Sequence, residues 1–298
     1  MNVSLTHLIQ SYLHYLHSFN LYRNKYRNSF YIMRNVLRNN YPIKGILKNG
    51  TEIIFDTDID LMTNVKGFEK CYKVIDDDII ISKKGFPDII LVKSAGIANI
   101  FPTFIQDDYN FLPIKGNVVL DIGANVGDSA ISFVIKGASR VIALEPFPKN
   151  YEMARRNIEE NGMSDKITII LSGLSNKEKT IAINPETQGT ASETTEFPNG
   201  IDIPMLTLRN IITTYNIDSA ILKMDCENCE YDVILSCPND ILQKFSHMVI
   251  EYHYGYKNLK KKLESAGFQV SVSTPICQKS VHYNKFMYYG YLYAKYQP

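Results

Sequence analysis

VVLDIGANVGDSAISF, residues 118–133, is the stretch whose reading decides the fold. An apolar run ends on Asp121, then Gly123, Asn125 and Gly127 crowd a tight turn, and from Asp128 onward the spacing becomes helical. This pattern predicts a strand that passes through a small-residue turn into a helix whose free N–H groups point at a ligand over the strand end. Such a turn alone names no ligand, because glycine-rich strand–helix turns serve many nucleotides. The dinucleotide fingerprint asks for Gly-x-Gly-x-x-Gly. Here Asn125 stands where the middle glycine belongs, and Gly127 follows Gly123 at the wrong interval. That departs from a pyrophosphate cradle.

Two acids refine the expectation. A carboxylate at the strand end, Asp121, repels a phosphate and suits an amino group. Glu145 closes the next apolar run, VIALEP, about where an acid takes two ribose hydroxyls. Acid, small-residue turn and ribose acid together describe S-adenosylmethionine better than NAD. That molecule carries an amino-acid end, a ribose and an adenine, and no phosphate.

From residue 116 the chain settles into strand–helix alternation, the pattern of a mostly parallel sheet covered by helices. Strands are expected at 118–121, 141–144, 167–171, 220–224 and 247–251, and helices near 128–136, 148–160, 206–215, 229–235 and 256–265. FQVSVSTP and FMYYGYLYAKY alternate like two antiparallel edge strands. Residues 184–200, NPETQGTASETTEFPNG, read as a long turn-rich loop.

Upstream, residues 43–115 form a small β-rich segment with a hairpin expected at Asn49-Gly50 and short strands split near Gly85 and Pro87. Residues 1–42 form a basic amphipathic helical segment. Leu5, Leu8, Ile9, Tyr12, Leu13, Leu16 and Phe19 are spaced for one face of a helix, and Tyr26, Phe30, Met33 and Leu37 for a second. Arg23, Lys25, Arg27, Arg34, Arg38, Lys44 and Lys48 all precede the first acid, Glu52. Packing on the body of the protein, or self-association, explains such a stripe more simply than peripheral contact with a membrane.

Composition bounds the rest. With 298 residues and 45% apolar content the chain is a folded globular protein, and a formal charge of +1 makes no global case for nucleic acid. No window is apolar enough to span a membrane and no secretory pattern opens the chain, so a cytoplasmic protein is expected, with contact at the inner membrane face as its variant. Five unpatterned cysteines suit reduced thiols.

The blocks VVLDIGANVGDSA, VIALEPFPKNYEMARRNI, ITIILSGLSN, LKMDCENCEYDVI and MVIEYH, in this order from about Val118 to Val272, resemble the FkbM-type family of class I methyltransferases. The resemblance implies an α/β, Rossmann-like fold over residues 116–298: a mostly parallel seven-stranded sheet with an antiparallel C-terminal hairpin. It implies S-adenosylmethionine as cofactor, with Asp121, Gly123, Ala124, Asn125, Gly127, Asp128, Glu145 and Pro146 as contacts and Ser172 and Gly173 beside the adenine. In the family's Asp-x-Glu-Gly-x-Glu pattern this chain has Asn228 for the glycine. Asn tolerates positive φ better than other non-glycine residues, so the same left-handed turn is expected.

Asp225, Glu227 and Glu230 follow the fourth strand, and Glu251 and His253 end the fifth. Their neighbours in such a sheet put them on the acceptor side. A hydroxyl acceptor needs somewhere for its proton to go, and His253 has the ordinary pKa for a base, with Asp225 its competitor. Glu227, Glu230 and Glu251 are expected to bind acceptor hydroxyls. Asp225, Glu227, Glu251 and His253 also compose a donor set for Mg²⁺ or Mn²⁺, but carboxylates facing a polyol need no ion, and no metal is assigned. Cys226 and Cys229 have redox or zinc spacing without a second pair, and idle thiols are expected.

The expected activity is O-methyl transfer to a glycan or glycosylated small molecule. An NAD-dependent reductase or epimerase lacks its three-glycine turn here. A nucleic-acid methyltransferase lacks an Asn-Pro-Pro-Tyr-like block after the fourth strand. A non-catalytic scaffold using the basic N-terminus completes the alternatives.

Overall fold

The apolar stripes at the N-terminus become two helices, α1 (Leu5–Lys25) and α2 (Ser29–Leu37). They belong to a computed structural model that describes residues 5–65, 67, 71–82, 87–92, 100, 103–104, 107–187, 196–279 and 286–297, with only the backbone given for 5–14, 59, 277–279 and 286. The side chains of Leu5, Leu8, Ile9, Tyr12 and Leu13, the break at Gly85 and the centre of the 184–200 loop therefore lie outside the described residues.

The hairpin at Asn49-Gly50 joins β1 (Ile43–Ile46) to β2 (Glu52–Phe55), with Gly50 at φ 94° where the turn requires it. A helix that sequence reading missed follows, α3 (Asp58–Val65). Its start is a capping box: the Thr57 hydroxyl accepts from the Asp60 N–H at 3.1 Å, and the Asp60 carboxylate accepts from the Thr57 N–H at 3.0 Å. Tyr22 and Tyr26 of α1 and its exit bury against Ile32, Ile43, Phe55 and Leu61, so this end of the chain has its own small core.

Next come β3 (Tyr72–Ile75), β4 (Asp78–Ile81) and β5 (Ile89–Val92), an antiparallel sheet. The main sheet contributes β6 (Val118–Ile122), β7 (Arg140–Glu145) and β8 (Ile167–Leu171), separated by α4 (Asp128–Ile135) and α5 (Pro148–Glu160). The edge of β5 docks on α5 through side chains. Asn157 accepts from the Val92 N–H at 2.8 Å, and Asn161, just past the helix, both accepts from and donates to Ile90. Ile79, Ile81, Ile89 and Leu91 consequently share one core with Val119, Ile131 and Val141.

A second small sheet interrupts the alternation. β9 (Gly173–Leu174), β10 (Lys179–Ile183) and β11 (Ile201–Leu206) form a three-stranded unit in the order β10-β11-β9. The flanks of the 184–200 loop are thus strands, too short for their alternation to stand out from turn residues. α6 (Leu208–Thr214) then begins on a Thr207–Asn210 capping box.

The chain closes with β12 (Ala220–Met224), α7 (Cys229–Ser236), α8 (Asn239–Leu242), β13 (Phe245–Tyr252), α9 (Lys257–Ser265), β14 (Phe268–Val272), β15 (Ile276–Lys279) and β16 (Phe286–Tyr296). The main sheet runs β14-β16-β13-β12-β6-β7-β8, with β15 pairing β16 as an added edge. β13, β12, β6, β7 and β8 are mutually parallel, and β16 lies antiparallel to both β13 and β14. This is the Rossmann-like class I methyltransferase architecture, with five parallel strands and the antiparallel C-terminal pair. Its strands read as unbroken apolar runs because helices cover both faces. Among the described residues no helix is long and apolar enough to cross a membrane.

Candidate active site

The carboxyl ends of β7, β6, β12 and β13 meet in that spatial order, and ligands of open α/β sheets sit off such ends. The turn after β6 lies nearest the centre. Gly123, at φ 76°, has no room for a side chain, since a Cβ would overlap the Asp225 carbonyl oxygen. Four of the turn's N–H groups are donated within the protein: Gly123 and Ala124 to the Leu144 carbonyl, Asn125 to Glu145 at 2.8 Å, and Gly127 to the Ala124 carbonyl.

Glu145, 3% exposed, pins this turn to the next strand by accepting from the Asn125 and Phe147 N–H groups at 2.8 and 3.0 Å. Burial pushes its carboxyl up to about 7, against the pull of those hydrogen bonds. Oε1 also accepts from the Asn150 amide at 3.5 Å, while Oε2, with the Asn125 N–H alone, keeps a lone pair for a ribose hydroxyl.

Asp121 departs from its expected direct contact. It is fully buried, and its oxygens meet the Lys223 ammonium at 3.1 Å and the Ser129 hydroxyl at 2.6 Å. An ammonium does lie against Asp121, but it is the protein's own. Lys223 also donates to the Gly123 carbonyl at 2.7 Å, so the pair braces the turn from beneath. Lys223, which sequence reading passed over, was signalled as the one charged residue inside the apolar run of β12.

Asp128 is likewise buried and accepts from Thr103 at 2.5 Å, and burial raises its carboxyl to about 6. Ser172 is buried and donates to the Pro204 and Gly173 carbonyls. Gly173 lies against Met205 and Pro146. Of the expected cofactor contacts, Asp121, Asp128 and Ser172 therefore act as supports with their polar atoms engaged inside the protein.

Across β6 from Glu145, the acids after β12 converge on one imidazole. His253 is 4% exposed; its Nδ1 lies 3.0 Å from Glu230, and its Nε2 lies 3.2 Å from Glu227 and 4.0 Å from Asp225. Burial alone would lower the His253 pKa, but the Glu230 hydrogen bond and the charges of Glu227, Glu230 and Asp225 push it up to about 10. The ring therefore holds its proton at neutral pH, and the expectation that it serves as a free base needs correction. Three carboxylates gathered in a poorly solvated site stabilise the cation instead.

Glu251 faces Tyr291 across the β13–β16 ladder, and the Tyr291 hydroxyl donates to Asp108 at 3.5 Å. Burial, then the charge of Asp225, drives the Glu251 carboxyl well above the usual range. The tyrosine was legible only as one of several alternating along β16. Tyr231 holds the exit of β13 by donating to the Gly255 carbonyl at 2.9 Å and accepting from the Tyr254 N–H at 2.8 Å.

Glu227 and Asn228 both take positive φ, 51° and 90°. Asn228 thus makes the left-handed turn expected of a glycine substitute. The turn also overturns the reading of idle thiols: it brings the Cys226 and Cys229 Cα atoms to 5.6 Å, and the two form a disulfide. One Asp225, one Glu227 and one His253 atom lie within 4.8 Å of each other and can hold a divalent cation by geometry; Glu251 is not in this group.

A family model for the methyltransferase FkbM domain matches residues 121–270. The chain is 41% identical over 59 residues to a ribosomal protein L11 methyltransferase of Carboxydothermus hydrogenoformans, covering 20% of this chain and 19% of that one. It is also 41% identical over 59 residues to a ubiquinone biosynthesis O-methyltransferase of Methylocella silvestris, covering 20% and 23%. The chain thus spans about a fifth of the length of these curated relatives. A solved FkbM methyltransferase from Methylobacillus flagellatus aligns at 18% identity with a TM-score of 0.43, over 65% of this chain and 47% of that one.

Proposed function

The chain belongs to the methyltransferase FkbM domain family, and on that premise we propose that it transfers a methyl group from S-adenosylmethionine to a hydroxyl oxygen of a glycan or glycosylated small molecule. The observation that carries this reading is the division of labour across β6. Glu145 stands at the neighbouring strand end on one side, and Asp225, Glu227 and His253 gather on the other. The broken dinucleotide spacing at Asn125 and Gly127 supports an adenosyl sulfonium over a dinucleotide.

In this reading Glu145 accepts from the ribose hydroxyls, and the bound sulfonium supplies an electrophilic methyl that needs no acid to activate it. The protein's work is then to aim the acceptor and take its proton. Asp225 and Glu227, partly exposed, are the carboxylates an acceptor hydroxyl reaches. One of them receives the hydroxyl proton as the C–O bond forms. The His253 imidazolium stays charged beside them, offsetting their repulsion, while Glu251, its carboxyl held above the ordinary range by burial and the Asp225 charge, meets another acceptor oxygen. No residue's role here needs a metal.

Calorimetric titration with S-adenosylhomocysteine and with NADH, followed by transfer of labelled methyl groups to a panel of glycans, tests the proposal. Tight NADH binding with none for S-adenosylhomocysteine would reverse it. For the N-terminus we propose contact with anionic lipid. Phe30 is 78% exposed next to Arg27 and Arg34, and cosedimentation of the full chain with anionic vesicles is the check.

A further inference from the structure

We propose that Cys226 and Cys229 form a thiol–disulfide modification site that sets the geometry of the acceptor-side loop, with a dithiol as its reductant. This rests on the reading of that loop as the side where the acceptor binds. The cross-link encloses only Glu227 and Asn228, both at positive φ, a conformation that Asn tolerates but that costs a residue such as Glu227 energy unless its surroundings hold it. Every carboxylate on the imidazole is within one residue of it. Asp225 precedes Cys226, Glu227 lies between the sulfurs with its carboxylate 3.2 Å from His253 Nε2, and Glu230 follows Cys229 and holds Nδ1 at 3.0 Å. The Asp225 carbonyl in turn packs on Gly123 of the cofactor-side turn. A bond placed here therefore controls both halves of the site.

Access and chemistry agree with reversible use. Both cysteines are partly exposed, so a small thiol reaches them. Cys229 is the first residue of the eight-residue helix α7, where the helix end favours the negative charge that develops on a leaving sulfur. One thiolate of the dithiol attacks Cys226, the Cys226–Cys229 bond breaks, and a mixed disulfide forms. The second thiol displaces Cys226. Two electrons and two protons pass to the cysteines, and the dithiol leaves as its own disulfide. Without the bond, Glu227 and Asn228 relax from the left-handed region and Glu227 leaves His253.

The test uses the full chain equilibrated with oxidised or reduced dithiothreitol. Alkylation under denaturing conditions followed by peptide mass spectrometry should leave Cys226 and Cys229 unlabelled in the first state and doubly labelled in the second. Amide exchange at residues 226–230 should be at least about tenfold faster after reduction, since local opening is no longer restrained, and the His253 imidazole resonances should shift. A Cys226→Ser/Cys229→Ser protein should match the reduced state and ignore dithiothreitol; the wild-type comparison stands without it if that variant does not fold. Labelling of both thiols in the oxidised buffer, zinc bound between them, or identical exchange and imidazole signals in the two states would overturn the proposal. S-adenosylhomocysteine titration of both states separates the premises: loss in both defeats the transferase reading and leaves the thiol chemistry standing.

Discussion

Glu230, wholly buried, sets one carboxylate oxygen 3.0 Å from His253 Nδ1, and this contact decides which form of the imidazole the site holds. A histidine at the sheet's end was expected to be a neutral base. Held by a buried acid on one nitrogen and by Glu227 and Asp225 on the other, it is a cation that organises acids.

Glu230→Gln keeps the shape of that contact and removes its charge. The His253 pKa should fall from about 10 by about one to two units, read by imidazole NMR. The shift is also a stability statement. The folded pKa lies above the ordinary 6.5, so the contribution is complete below 6.5 and lost as pH rises through about 10. Denaturation of the wild type should show that alkaline loss, and Glu230→Gln should shrink it.

Glu145 carries the same sign in a lower pH window. Its folded pKa is raised from 4.5 to about 7, so the folded chain binds the extra proton and stability declines as pH rises through that window. Glu145→Gln should flatten the thermal stability profile between those limits. It should also weaken S-adenosylhomocysteine by about tenfold or more at neutral pH, as expected for losing a charged acceptor from a ribose diol. An unchanged affinity would remove Glu145 from the cofactor site.

Gly123→Ala asks for a Cβ where the Asp225 carbonyl lies, on a backbone at φ 76°. The cost should exceed about 2 kcal/mol, because neither the backbone conformation nor the facing backbone can yield cheaply. Calorimetric unfolding measures it, and cofactor-product binding should fall with it.

Lys223→Met strands Asp121 in the core. Breaking a buried pair by removing one partner costs about 3–5 kcal/mol. Adding Asp121→Asn should recover a large part of this. A double-mutant cycle with no coupling would show that the 3.1 Å pair does not brace the turn.

Chelation should leave S-adenosylhomocysteine affinity within about twofold, as for a site in which hydroxyls rather than a hard cation meet the carboxylates. Mn²⁺ titration followed by electron paramagnetic resonance is the sharper probe. A micromolar site lost in Glu227→Gln would put an ion among Asp225, Glu227 and His253.

The main sheet was legible because its strands are continuous apolar runs and its helices follow at regular intervals. The five parallel strands and the antiparallel C-terminal pair fall where that pattern puts them, although β16 lies inside the sheet between β13 and β14 and not at its edge. What escaped was short or locally ambiguous. The capped helix after Thr57 carried a signature in its Thr-x-x-Asp spacing, and β10 and β11, either side of the 184–200 loop, fall in stretches for which the sequence pattern names no strand. Lys223 showed only as a lone charge in an apolar run and Tyr291 only as one alternating tyrosine of several, since nothing in a run such as AILKM tells which way its lysine turns.

By itself the sequence determined the class of fold, the turn after Asp121 and the two groups of acids at the strand ends, all properties of local pattern and spacing. Only the tertiary structure decided what those acids do. Asp121 is neutralised by a lysine from the neighbouring strand. Glu230 charges an imidazole that is distant in the chain, and two cysteines meet because the residues between them turn left-handed. Charge state depends on burial and on partners across strands, and neither is fixed until the sheet has brought them together.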